Sequence, residues 1–476
     1  MTTDINEEEK LKRLHDLVKR NVDLDRQLQE LLAQYSDMSA RDDQYAQLLR
    51  EFGLDDAEKK ERQGVRHFKM ASVIYVVIKG YKKLSQVGDP QLQLDLLDEI
   101  TLGIADCAER HSLVKISSVG DNMLLCGGVV QENKTNPIDA VCAAVEISQW
   151  MEEFRKGHDI IWELQCGVHT GPVIARYTGK SKKPYTLSGA NVLTATRLAL
   201  TADIGAIAVS PMTSGLVRDF FEVEPFFKMP VKYSGEMQVF KLLNLRPELA
   251  SGNPERPYND TFDLYYSRVQ FMDIQEYVLD MLERNLPHNL YYHNVKHTID
   301  VTTEVELIGW AEGLPESDIL LLKLAALFHD SGQIKVNKGH EEVSCQYVDE
   351  ILPRYNYSPD KIATIKRIIM ATKVPHTPAD ILEAVIEDSD LDYLGRSDFV
   401  PVSNMLYKEL IERDGAKLTI NEWNKLQIKF ISNHQYFTKT AQSLREVNKQ
   451  VQIERLKDLV EECERSGGES PACDMR

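Results

Sequence analysis

Residues 325–334 read AALFHDSGQI and close an apolar run that opens with DILLLKL at residues 318–324. The apolar spacing predicts a buried helix, and it ends in a histidine and an aspartate, His329 and Asp330. Both are expensive to bury unless something ligates them or pairs with them. The chain offers partners on either side. LYYHNVKHTIDV, residues 290–301, places His293 and His297 ahead of the pair, and VIEDSDLDYLG, residues 385–395, places Asp388, Asp390 and Asp392 behind it. Between them stand His340 and Glu341 in GHEEVS, and Lys373 and His376 in IIMATKVPHTP. Each feature alone has an ordinary explanation, a surface pair or a solvated acidic face. In this order, on helical segments, they supply the imidazoles and carboxylates that a hard divalent ion needs.

The rest of the chain bounds this site. A length of 476 residues exceeds one ordinary core, so two domains with additions are expected. A hydrophobic share of 43% with 27% charged residues is that of a globular protein rather than a disordered one. The net charge of −18 argues against nucleic acid or an anionic membrane as partner. An anionic small molecule stays compatible, because a bound metal reverses the local field. The seven cysteines are scattered without a CxxC spacing, which supports neither a disulfide framework nor a zinc knuckle. With no apolar signal core at the start and no run long enough to span a bilayer, a cytoplasmic protein is expected.

Residues 7–38 carry a heptad pattern, with Leu14, Asn21, Leu28 and Tyr35 in one core register and Leu17, Leu24, Leu31 and Met38 in the other. A lone asparagine in the first register is a device of parallel two-stranded coils. A parallel homodimer is therefore expected, with an amphipathic helix packed on its own chain as the alternative. From residue 66 to about 245, runs such as FKMASVIYVVI, LVKISSVG, NMLLCGGVV and ELQCGVHTG read as strands. IDAVCAAVEISQWMEEFRK and NVLTATRLALTA read as helices, giving an α/β domain. After residue 260 the spacing is helical almost throughout, and seven of the twelve histidines lie beyond residue 287, which directs the search for chemistry there.

Three landmarks make the α/β domain resemble the class III nucleotide cyclase catalytic domain: the strand VIYVVIKGY, the Gly120–Asp121 turn of KISSVGDNMLL, and CGVHTGPVIARYTGKSKKPYTLSGANVLTATRL. The resemblance implies a two-metal site held by two aspartates. Asp121 matches one, but Val77 stands in the place of the other. Ser117 replaces the base-contacting lysine and Leu193 the helix asparagine, while Arg197 matches the transition-state arginine and Thr186 remains a purine contact. A pseudo-cyclase is expected, with Asp121, Thr186 and Arg197 as residual nucleotide-binding candidates. A purely structural dimerisation module is the alternative.

The helical half resembles the HD superfamily of metal-dependent phosphohydrolases, and LYYHNVKHTIDV is similar to the Tyr-His-Asn-x-x-His motif of cyclic nucleotide phosphodiesterases. The resemblance implies His297, His329, Asp330 and Asp390 as metal ligands, Asp388 as a rival for the last place, and His293 as general acid. It gives His340 with Glu341 to a second metal or the phosphate, and Lys373 and His376 to the substrate. The cofactor is a divalent ion, Mn, Mg, Fe or Zn, and the substrate a nucleotide, linear or cyclic. Gln333 stands where many phosphodiesterases carry a histidine.

The expected architecture is an α+β multidomain chain. A coiled coil covers 1–39, a helical connector 40–65, and an α/β class III cyclase-like domain 66–246. A linker follows over 247–260, then an all-α HD-type phosphohydrolase domain over 261–460 and a disordered tail over 461–476. Two other functions stay open: a non-catalytic nucleotide-responsive switch, and a cyclase active only beside a complementary partner.

Overall fold

The computed structural model describes residues 64–80, 90–158, 162–177, 183–184, 186–231, 235–253 and 256–465. The heptad segment, most of the connector and residues 466–476 lie outside the described residues. Two compact units divide the chain; the larger takes in Phe68–Val173 and Gly189–Arg476.

The first half is a sheet with helices, in the chain order β1 (Val65–Lys79), α1 (Pro90–Arg110), β2 (Val114–Val119), β3 (Asn122–Gly127), α2 (Asn136–His158), β4 (Glu163–Arg176), β5 (Thr186–Ser188), α3 (Ala190–Thr201), β6 (Ile207–Val209), α4 (Pro211–Val217), β7 (Phe221–Val231) and β8 (Gly235–Leu245). The strand order is β2-β3-β1-β4-β6-β8-β7, with β5 on β4. In the smaller unit, β5 pairs antiparallel with the end of β4 from Ile174↔Ser188 to Arg176↔Thr186.

β1 sits inside the sheet, and Ala71, Val73, Ile74, Val76, Val77 and Ile78 are all buried. That explains its nearly unbroken apolar run, since a strand covered on both faces loses the usual alternation. Its antiparallel register with β3 runs from Ser72↔Gly127 to Val77↔Asn122. The expected Gly-Asp turn joins β2 to β3, with Gly120 at φ 57°, a conformation that favours glycine. β7, FEVEPFFKMPV, has no strand signature because Pro225 and Pro230 interrupt it. It is tolerated as the last strand of the sheet, where missing N–H donors break fewer ladder bonds.

The segment expected as a linker is ordered. A 3-10 turn, Pro247–Leu249, leads into a two-stranded ribbon of β9 (Ala250–Asn253) and β10 (Arg256–Tyr258). The helical half then follows: α5 (Asp260–Asn285), α6 (Val295–Ala311), α7 (Glu316–Phe328), α8 (His340–Ile351), α9 (Pro359–Ala371), α10 (Ile381–Asp390), α11 (Phe399–Asp414), α12 (Ile420–Asn433) and α13 (Lys439–Arg465). The last helix runs past the expected start of the tail.

α7 is the hub, packed on α5, α6, α9 and α10. Leu322, Leu324, Leu327 and Phe328 are fully buried, and each contributes about 1.5–3 kcal/mol by removal from water. α5 belongs to two cores. Phe262, Tyr265, Tyr266 and Val269 pack in the core of the first half, and Phe271, Ile274, Val278 and Leu282 pack in the core of the second.

Candidate metal centre

Four local devices bring the ligand candidates together. Asn294 caps α6, its side-chain oxygen accepting from the N–H groups of Lys296 and His297 at 2.8 and 3.2 Å. The cap fixes the first helical turn, which carries His297. His329 and Asp330 follow the last residue of α7, so the most apolar helix delivers them into the interior. Ser344 on α8 donates to the His329 carbonyl at 2.7 Å and accepts from Gly332 N–H at 2.8 Å. A Cβ on Gly332 would lie 1.9 Å from the His340 carbonyl oxygen, so only glycine lets this turn approach α8 so closely. Asp390 is the final residue of α10.

The four side chains converge. His297 Nε2 lies 3.0 Å from Asp390 Oδ1 and 3.3 Å from His329 Nε2. Asp330 Oδ2 is 3.5 Å from His297 Nε2 and 3.3 Å from His329 Nε2. His329 donates from Nδ1 to the Ala326 carbonyl at 2.7 Å, which in the neutral ring leaves the Nε2 lone pair facing both carboxylates. Asp330 Oδ2 is buried and accepts no hydrogen bond.

Two nitrogens and two carboxylates pressed together, with an orphaned buried oxygen among them, fit a divalent cation. Among the described residues, His297, His329 and Asp390 have the spacing of a metal-ligating group. Without a cation, a proton takes part of its place. Burial alone would lower the His329 pKa, yet Asp330 and Asp390 carry it well above the usual value. Burial would raise both carboxylates, but the facing imidazoles hold each well below its usual range.

Around this group the structure sorts the other candidates. His340 Nε2 lies 3.1 Å from Asp330 Oδ1, and its Nδ1 donates to the Asn337 carbonyl at 2.8 Å. His340 thus steadies a ligand. Asp388 is not at the centre, a correction to its place as rival ligand. Two residues from Asp390, it points about 200° around the helix, and its oxygens accept from Phe437 N–H at 2.9 Å, Thr438 N–H at 2.7 Å and Thr438 Oγ1 at 2.7 Å. Lys373 pairs with Glu342, and His376 Nε2 lies 3.1 Å from the Thr372 carbonyl; both line the cavity in front of the centre.

His293 is held by a residue the sequence did not single out. Its Nδ1 lies 2.5 Å from Glu409 Oε1, while Glu409 Oε2 accepts from the N–H groups of Tyr292 and His293 at 2.9 and 3.1 Å. Burial alone would lower the His293 pKa; Asp330 and Glu409 raise it above the usual value. Gln333 Oε1 accepts from Arg413 Nη1 at 2.6 Å. The segment YKELIERD, which holds Glu409 and Arg413, looks like any charged helix, and only the tertiary fold shows which of its charges turn inward.

The centre opens on a cavity of about 1030 Å³ lined by His293, Asp330, His340, Asp390, Trp423 and Phe430, among others. Gln427 on the same wall is 4% exposed, and its Oε1 has no hydrogen-bond partner. Sequence reasoning missed this amide as well.

Each cyclase-like candidate has its own local setting. Asp121 sits at the β2–β3 turn and accepts from Asn122 Nδ2 at 2.9 Å. Arg197 donates to the Pro230 carbonyl at 2.5 Å. Thr186 lies on β5 opposite Arg176. Val77 is 2% exposed, a core residue.

Comparison with known proteins agrees with this division. The family model described as adenylate and guanylate cyclase catalytic domain matches residues 64–244, and the HD domain model matches residues 294–397. The chain therefore carries a class III cyclase domain followed by an HD domain. Among curated relatives, a receptor-type guanylate cyclase, gcy-8 of Caenorhabditis elegans, is 25% identical over 38% of this chain and 16% of its own length. Human retinal guanylyl cyclase 1 is 24% identical over 38% of this chain and 17% of its own length. The chain thus spans about a sixth of these relatives. Among solved structures, the adenylyl cyclase CyaB from P. aeruginosa is 22% identical with TM-score 0.35, covering 39% of this chain and 99% of that one. The guanylate cyclase domain of RhGC from Catenaria anguillulae, in complex with GTP, is 23% identical with TM-score 0.35, covering 38% and 100%. Among the described residues no helix is long and apolar enough to cross a membrane.

Proposed function

We propose that the helical half is a metal-dependent phosphodiesterase that hydrolyses a nucleotide phosphoester, with cyclic nucleotides the leading substrates. The observation that carries this is the buried group of His297, His329, Asp330 and Asp390, whose two carboxylates and the neighbouring His293 line an open cavity. His297, His329, Asp330 and Asp390 would hold a divalent ion, which would supply Lewis-acid polarisation of the phosphoryl oxygens and a more acidic water.

The chain's own residues supply the remainder. Glu409 orients His293 through Nδ1, which leaves the Nε2 proton to pass to the departing ester oxygen. Gln427 and the rings of Trp423 and Phe430 suit a flat heterocycle, since an unpaired buried amide discriminates strongly between polar edges. The cavity volume lies at the upper end of small-ligand sites, enough for a nucleotide.

The cyclase-like half acts in this proposal as a non-catalytic partner that pairs two chains and senses a nucleotide. A valine in the core at position 77 cannot ligate metal. The parallel homodimer through residues 1–39 belongs to the same proposal. A panel of cyclic and linear nucleotides, assayed for monophosphate or phosphate release with Mn and Mg, tests the function. Release from at least one cyclic nucleotide, lost in His329→Ala, is expected; no release from any member with either metal refutes it.

A further inference from the structure

Gln333 has no part in the chemistry described so far, yet it is 1% exposed and its amide oxygen is engaged. It lies three residues beyond Asp330, and its N–H donates to the Asp330 carbonyl at 2.9 Å. The turn that carries two of the ligand candidates thus also carries Gln333. Its partner, Arg413, comes from α11. The Arg413 side chain is 12% exposed and its Nη1 reaches Gln333 Oε1 at 2.6 Å and Glu409 Oε1 at 3.9 Å. Glu409 Oε1 is the atom that holds His293 Nδ1. One guanidinium nitrogen therefore hydrogen-bonds the ligand-bearing turn and lies at ion-pair distance from the orienter of the proton donor.

Burying a long cation has a desolvation penalty and an entropy penalty. What the position of Arg413 achieves is a fixed distance. Two of the four ligand candidates, His329 and Asp330, sit on the turn after α7, and the proton donor sits ahead of α6. The rigid, planar guanidinium of an arginine holds Nη1 in a set direction toward both acceptors. A lysine holds them as a point charge with looser geometry.

We propose that Arg413 is a positioning residue that registers His293 against the metal-ligand turn, through Glu409 on one side and Gln333 on the other. This rests on the phosphodiesterase reading of the centre. It accounts for the glutamine where many phosphodiesterases carry a histidine: an amide oxygen is a neutral acceptor that anchors a guanidinium without adding a ligand.

The test uses the full chain with Arg413→Met, Arg413→Lys and Gln333→Ala. Two substrates are compared, a nucleoside 3′,5′-cyclic phosphate whose leaving alkoxide needs a proton and bis(p-nitrophenyl) phosphate whose leaving group does not. Arg413→Met is expected to lower kcat on the first by roughly 10–100-fold, a fraction of what general acid catalysis supplies, and on the second by less than about threefold. Metal content per chain stays unchanged, and Arg413→Lys recovers part of the loss. Gln333→Ala shows the same selectivity at smaller size, and decides the matter if Arg413→Met fails to fold. An equal fall on both substrates, or no fall on either, overturns the proposal.

A readout without turnover separates this from failure of the function. The downfield imidazole N–H resonance of His293, assigned by its loss in His293→Gln, should broaden by faster solvent exchange in Arg413→Met. If the wild type hydrolyses nothing but this resonance responds, the brace stands and the phosphodiesterase reading falls. If the resonance is unaltered, the brace falls.

Discussion

One buried polar group in each half of the chain shows two different arrangements. In the cyclase-like half, Ser210, Thr213, Thr170, Ser72 and Asn136 form a buried chain of hydrogen bonds, with successive distances of 3.0, 3.2, 2.8 and 2.6 Å. These groups satisfy one another and leave nothing for a ligand. In the helical half, His297, His329, Asp330 and Asp390 crowd together, with Asp330 Oδ2 facing two imidazoles without a hydrogen bond. A closed network rigidifies a core, whereas an open one of opposed charges is a binding centre. The difference teaches that a family's fold and a family's site are separable: the sheet around Val77 is intact while the position has become an ordinary core residue.

The largest expected effect falls on the proton donor. His293→Gln should lower kcat on a cyclic nucleotide by roughly 10²–10⁴-fold, with metal content unchanged by elemental analysis. Glu409→Gln adds a pH signature. Burial opposes the charged imidazole, and the Glu409 carboxylate is among the groups that favour it. Removing that charge lowers the His293 pKa, so the alkaline fall in kcat should move to lower pH. A profile moving to higher pH, or not moving, contradicts the assigned role.

Next comes the attempt to make the first half resemble the second. Val77→Asp places a carboxylate at a site that is 2% exposed, so unfolding by denaturant should show a loss of about 2 kcal/mol or more. Hydrolysis at the helical centre of the surviving folded protein should be unchanged. A variant of full stability that forms cyclic nucleotide from ATP or GTP would break the comparison.

The smallest effect is at the seam. Tyr266 on α5 donates to Asp139 at 2.8 Å, and burial raises the Asp139 pKa to about 7. An unfolded aspartate releases its proton near pH 4, so between about pH 4 and 7 the folded chain binds the extra proton and stability falls as pH rises. Asp139→Asn should flatten that part of the curve: the midpoint of the wild type drops more between pH 5 and 8 than that of the variant. Equal drops would remove Asp139 as the source.

Much of the layout is legible in residues 325–334 and their surroundings. His297, His329, Asp330 and Asp390 could be named because each lies where helical spacing and an apolar run make a charge costly. The order of the strands from β1 to β4 follows from their apolar runs and the Gly-Asp turn. β7 was hidden by two prolines that only an edge position tolerates. Asp388 was misjudged because spacing along a sequence does not say which way a helix turns a carboxylate. Glu409, Arg413 and Gln427 were invisible because surface-like helices carry the same residues, and only tertiary packing turns them inward.

The most direct test is the ion itself. Full-length protein loaded with Mn²⁺ and dialysed should retain metal in proportion to chain, and His329→Ala and Asp390→Ala should each lose it while keeping the wild-type circular dichroism. Folded wild-type protein that retains no Mn²⁺, Mg²⁺, Fe²⁺ or Zn²⁺, or variants that retain as much as the wild type, would contradict a centre built from these four side chains.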